Sequence, residues 1–123
     1  MKVMLPSAGA SWYYTSDERV KKDIADCDLG IDFINKVRPI KFKWNRQDET
    51  ITTQMYGFSY QQIKNILDKN NIEYTGLIDN SGEYGAVAQT TLIPSMVKAL
   101  QDLDKKYTEM KVEFDALKNS LNQ

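Results

Sequence analysis

The chain contains no histidine among its 123 residues. That absence removes Ser-His-Asp and Cys-His catalysis and most zinc sites. A catalytic base, if there is one, must be a lysine, a carboxylate or a terminal amine, and no metal or other cofactor is expected. There is a single cysteine, Cys27, so no internal disulfide can form, and a reduced, buried thiol is the expectation. Neither sign of charge is in excess, with 16 basic against 17 acidic residues. This balance gives no electrostatic reason to expect a nucleic acid or an anionic membrane as partner. No apolar run approaches transmembrane length, and the short one at Val3-Met4-Leu5 is broken by Pro6, which argues against a signal peptide.

What remains is 41% hydrophobic residues, enough for one small core. Residues 1–15 show no period. They read as the end of an upstream stalk or a linker, with Trp12, Tyr13 and Tyr14 packing at the junction rather than binding sugar. Residues 16–26 are highly charged. Ile31, Ile34 and Val37 recur at helical spacing and predict a helix over 28–37, stopped by Pro39. Ile40-Lys41-Phe42-Lys43-Trp44 alternates with period two, a strand with its apolar residues inward, and a polar loop runs over 45–53. The same stretch, with Arg46, could form a stacking platform for single-stranded nucleic acid. Its lysines and aromatics fall on opposite faces, however, as in any amphipathic strand.

Ser59 and Gln62 have the spacing of a capping box, and Phe58 and Ile63 that of a hydrophobic staple. A helix therefore begins at Ser59, buries Ile63, Ile66 and Leu67, and ends at Asn70-Asn71. Two short strands over 72–78 and 83–89 flank the turn Asp79-Asn80-Ser81-Gly82.

The strongest period lies in the C-terminal helix expected over about 92–121. Ile93, Met96, Leu100, Leu103, Tyr107, Met110, Phe114, Leu117 and Leu121 alternate spacings of three and four, an a/d heptad seam. Asp104, Lys106, Lys111, Glu113 and Lys118 occupy the flanking e and g positions. The rival is an amphipathic helix packed on its own domain, which needs a wider apolar stripe than this one. Tyr107 and Phe114 at a positions need a wider seam than a dimer offers, so three strands are expected. The fold class is α+β and mainly helical: a small globular part with short strands, then a long helix forming a trimeric coiled coil.

One segment could carry chemistry, Ser16-Asp17-Glu18-Arg19-Val20-Lys21. A serine is a weak nucleophile until a base takes its proton, and a lysine is a base only when neutral. Its ordinary pKa of about 10.4 must fall, through burial or a neighbouring cation such as Arg19. Residues five apart share neither a helix face nor a strand face. A Ser16–Lys21 contact therefore needs a turn between them, or the lysine of another chain. The bland alternative is a helix start capped by Thr15 and Glu18.

Together with the residues downstream of it, this segment resembles a known family. Ser16-Asp17-Glu18-Arg19-Val20-Lys21, then Gly30-Ile31-Asp32-Phe33-Ile34-Asn35-Lys36-Val37-Arg38-Pro39-Ile40-Lys41-Phe42-Lys43-Trp44, look like the C-terminal intramolecular chaperone domain of phage endosialidase tailspikes, tail fibres and neck appendage proteins. Gly57-Phe58-Ser59-Tyr60-Gln61-Gln62 is similar to its Gly-x-x-Ala-Gln-Glu block, with Tyr60 and Gln62 as departures. Ala88-Gln89, Leu92-Ile93-Pro94 and Ala99-Leu100-Gln101 resemble its entry into the final coiled coil. The resemblance implies a chaperone domain over 16–123. In it Ser16 is the nucleophile, Lys21 the base of a Ser-Lys dyad, Thr15–Ser16 the cleaved bond, and Asp17, Arg19 and Gln61 supporting residues. It implies a homotrimer that assists folding of the upstream stalk of its own polypeptide in the host cytoplasm during virion assembly. A single-turnover self-cleavage then releases it from the mature fibre. The alternative is a trimerisation tip that is never cut.

Overall fold

A computed structural model describes the backbone of residues 3–4, 13–45 and 52–123, and the side chains of 15–45 and 52–123. The expectations for Trp12, Arg46 and most of the 45–53 loop lie outside these residues. The upstream stretch holds a short antiparallel ladder, β1 (Val3–Met4) against β2 (Tyr13–Tyr14), where the sequence shows no period.

The chain then makes one 3-10 turn, Glu18–Val20, and runs without helix or strand to Gly30. Helix α1 is a single turn, Ile31–Ile34, not the ten-residue helix expected over 28–37. Its start is fixed from outside. Gly30 is not helical, and the first amide, Ile31 N–H, donates to the Asp102 carboxylate at 3.0 Å. Its end tightens, with Lys36 N–H and Val37 N–H reaching back three residues instead of four. Phe33 is the side chain this turn buries.

Strand β3 (Ile40–Phe42) pairs antiparallel with β4 (Met55–Gly57), in register Ile40↔Gly57 and Phe42↔Met55. The strand is shorter than expected, and Trp44 is not inward: it lies beyond the last pair, half exposed, its ring edge-on to Phe42 at 5.1 Å. Helix α2 (Tyr60–Lys69) starts and stops where the capping signals place it. The Ser59 hydroxyl accepts from Gln62 N–H, and Ile63, Ile66 and Leu67 are buried, with Phe58 packed against them. The reciprocal half of the capping box is missing. Gln62 instead turns its amide outward, donating to Lys36 O at 3.0 Å and accepting from Arg38 N–H, and so ties α2 to the chain leaving α1.

The two strands around the Asp79–Gly82 turn are cut to β5 (Ile78–Asp79) and β6 (Ala86–Val87), paired antiparallel. Beside them lies a fit that the sequence pattern did not reveal. A Cβ on Gly85 would collide with the Tyr60 ring. Glycine at 85 therefore makes room for the tyrosine that replaces the alanine of the resembled motif. Gly85→Ala is expected to cost about 1–3 kcal/mol by overpacking. Tyr60→Ala in the same chain is expected to recover most of that loss, measured by denaturant unfolding of the two single variants and the double variant.

A 3-10 turn, Gln89–Leu92, leads into helix α3 (Ile93–Leu121), with Pro94 in its first turn, where a proline costs no hydrogen bond. Phe33, Ile63, Ile66, Leu67, Leu77 and Leu92 form the core. The α3 helix packs on α1 through a narrow face, burying Ser95 and Ala99. This is not the heptad face. Every residue of the seam is at least half exposed in the single chain, from 50% at Met96 to 78% at Leu121. Beyond Asp102 the helix buries nothing.

Candidate functional site

The 3-10 turn supplies the reversal that a Ser16–Lys21 contact needs. Asp17 N-caps it, its carboxylate accepting from Arg19 N–H at 2.9 Å, and Lys21 N–H closes the turn on Glu18 O. The N-cap is thus Asp17, two residues past the alternative at Thr15. With the chain folded back, Lys21 Nζ lies 2.7 Å from Ser16 Oγ and donates to it.

Asp17 and Arg19 hold the turn. The guanidinium donates through Nε to one Asp17 oxygen at 3.0 Å and through Nη2 to the other at 2.9 Å. This two-point contact comes on top of the cap. The Arg19 side chain, and after it the Arg19 backbone amide, holds the Asp17 pKa below its ordinary value. The carboxylate is thus committed to Arg19, which leaves the Lys21 amine to Ser16. All four side chains are exposed in the single chain, and so are the apolar neighbours Val20 (69%) and Ile24 (62%).

Gln61 is exposed on α2, and the structure does not bring it to Ser16 through any described contact. Cys27, expected to be buried, is exposed, its thiol directed to Leu29 O. The segment around it has no periodic apolar pattern to carry it into a core.

Asp102 does not stand out in the sequence. It ties the segment downstream of the Ser16–Lys21 contact to the long helix. Its carboxylate accepts Ile31 N–H and pairs with Lys98 at 3.3 Å, and a Cβ on Gly30 would collide with it. A lone aspartate in a heptad c position carries no signal of this kind, since its partner is 71 residues away. The Ile31 amide, helped by Lys98 and Lys106, holds the Asp102 pKa below its ordinary value of 3.8. A carboxylate depressed on folding stabilises the fold above its unfolded pKa and loses that contribution as pH falls through the folded one. The α1–α3 tether is therefore expected to be intact above about pH 4 and to weaken below it. Melting temperatures taken between about pH 5 and pH 2 should fall less steeply for Asp102→Asn than for the wild type.

Residues 16–72 match the model of a family described as the chaperone of endosialidase, which is classed among serine peptidases. Neither a curated protein nor a solved structure matches the chain. The matched span opens on Ser16 itself and takes in the turn, α1, the β3–β4 pair and α2. It thus holds both the Ser16–Lys21 contact and most of the core. From Ser16 to Ile72, just under half of its length, the chain is similar to the chaperone-of-endosialidase family.

Proposed function

We propose that the chain is an intramolecular chaperone that trimerises through α3, assists folding of the phage fibre, tailspike or appendage joined upstream of it, and then cuts itself free between Thr15 and Ser16. The observation that carries the reading is the 2.7 Å separation of Ser16 Oγ and Lys21 Nζ in a segment where the family match begins. The exposed a/d seam supports the assembly half.

Fibrous trimers need distant parts of three chains to meet in register, and such non-local pairing is slow and prone to aggregation. A coiled coil at the end of the stalk holds the three chains together and raises the effective concentration of the stalk segments. Cleavage after assembly leaves a fibre that cannot refold once opened, and so traps it kinetically.

For the cut, a neutral Lys21 amine takes the Ser16 hydroxyl proton as Oγ bonds to the Thr15 carbonyl carbon. The Thr15–Ser16 C–N bond breaks, the proton passes to the freed Ser16 amine, and water hydrolyses the ester between Thr15 and Ser16 Oγ. A neutral lysine is favoured by burial. In one chain the pair lies open to solvent, so its cover must come from neighbouring copies. Cutting is then coupled to assembly, which acts as a checkpoint in the host cytoplasm while the virion is built.

The test is the intact mass, followed over time, of the chain extended by its upstream stalk. Wild type is expected to split before Ser16 while Ser16→Ala stays whole. A wild type that is trimeric and stays whole would leave the rival, a trimerisation tip that is never cut.

A further inference from the structure

On the e side of α3 lies an open groove of about 550 Å³. Its walls are Ile93, Pro94, Val97 and Gln101 of the helix and Asp26 and Cys27 of the extended segment, with Lys98 at its back. Counting Ile93 as a, these helix residues occupy positions a, b, e and b. The residues that α3 packs against its own domain are Leu92, Ser95, Ala99 and Asp102, at g, c, g and c. Each copy thus hangs its core on the c/g flank, while on the e/b flank the described residues leave Val97 48% exposed. The chain before α1 crosses the back of the helix between the two flanks. Gly30 lies against Asp102 and Lys98, and Asp26 and Cys27 lie beside Val97.

In a parallel coiled coil the e flank of one helix faces the g flank of the next. Here that g flank carries a globular domain. We propose that the groove beside Cys27 receives the globular part of the neighbouring copy, so that each domain is clamped between its own α3 and the next one. The inference rests on the parallel assembly proposed above. Ile93 is 54% exposed and Val97 48%, which is the apolar surface such a contact removes from water. Val97 is the one apolar residue at an e position, since Asp104, Lys111 and Lys118 occupy the others. The apolar e site therefore falls where the neighbour's domain lies and not where only helix lies. An antiparallel pairing would set e against e and leave the groove empty.

Cys27 is the single cysteine of the chain and reports on the groove. Its alkylation rate should be measured in the full wild-type chain and in Met110→Asp/Leu117→Asp, whose substitutions lie beyond every contact between α3 and the globular part. Circular dichroism establishes that both are folded, and sedimentation gives their association states. Cys27 is expected to react at least about tenfold more slowly in the assembled wild type than in the dissociated variant, since a covered thiol reacts only through local opening. Val97→Asp is expected to restore fast alkylation in a chain whose distal seam is untouched. Equal rates in an assembled wild type and a folded monomeric variant overturn the groove contact and leave the trimer standing. A wild type that sediments as a monomer overturns both.

Discussion

Lys21→Arg is expected to abolish cleavage at Thr15–Ser16 as completely as Lys21→Ala does. The arginine keeps the positive charge and can still donate to Ser16 Oγ, but it cannot be deprotonated at any pH a protein survives. If the lysine only held the serine in place, arginine would serve, and cleavage would continue at a comparable rate. If the lysine is the base, the rate falls by about 10²–10⁴, the usual worth of a positioned general base. Because Ser16 and Lys21 are both exposed in the single chain, neither substitution touches its core, and the globular part should stay folded. Intact-mass time courses of the stalk-extended chain supply the rates. An arginine variant that cuts normally would leave Lys21 a positioning role and require another base.

An element is legible in the sequence when the signals that set its bounds are local. Helix α2 carries its own: the Ser59 cap, the Phe58 and Ile63 pair, and an apolar stripe at 63, 66 and 67. Its bounds are therefore readable to the residue. The α3 helix is readable for the same reason. The elements that differ from expectation depend on distant partners. α1 begins where Asp102 takes its first amide, so no local window shows that residues 28–30 are not helical. Gln62 has the spacing of a capping-box acceptor but is drawn off by Lys36 O and Arg38 N–H. Strand β4 is three residues long, too short for alternation to register, and its partner β3 lies outside any local window. In the candidate site, spacing and chemistry name Ser16 and Lys21 and require a turn between them. The turn itself is made by Asp17 serving as cap and as guanidinium partner at once, which spacing does not announce. In the sequence, a heptad face and a domain-packing face on α3 look like rivals. The helix carries both, side by side, because an a/d seam leaves the c/g flank free for small residues such as Ser95 and Ala99.

That division of faces sets the expected result of charging the seam. Met110→Asp/Leu117→Asp should dissociate the assembly while leaving the globular part folded. Both residues are more than 60% exposed in the single chain, and α3 buries nothing beyond Asp102. Burying a side chain such as Met or Leu is worth about 1.5–3 kcal/mol, and an unpaired carboxylate in its place adds a desolvation cost. With two positions in each of three chains, the assembly should lose well over about 5 kcal/mol, more than three orders of magnitude in association. Sedimentation over a concentration series measures the loss, and unfolding of the globular part serves as control. If burial by neighbouring copies makes the Ser16–Lys21 pair competent, the stalk-extended variant should also stop cutting, though Ser16, Lys21 and their turn are untouched and α3 ends far along the chain from them. Cleavage that persists in a monomer would separate the chemistry from assembly. The pair would then work within one chain, and the cut could not act as a checkpoint on the trimer.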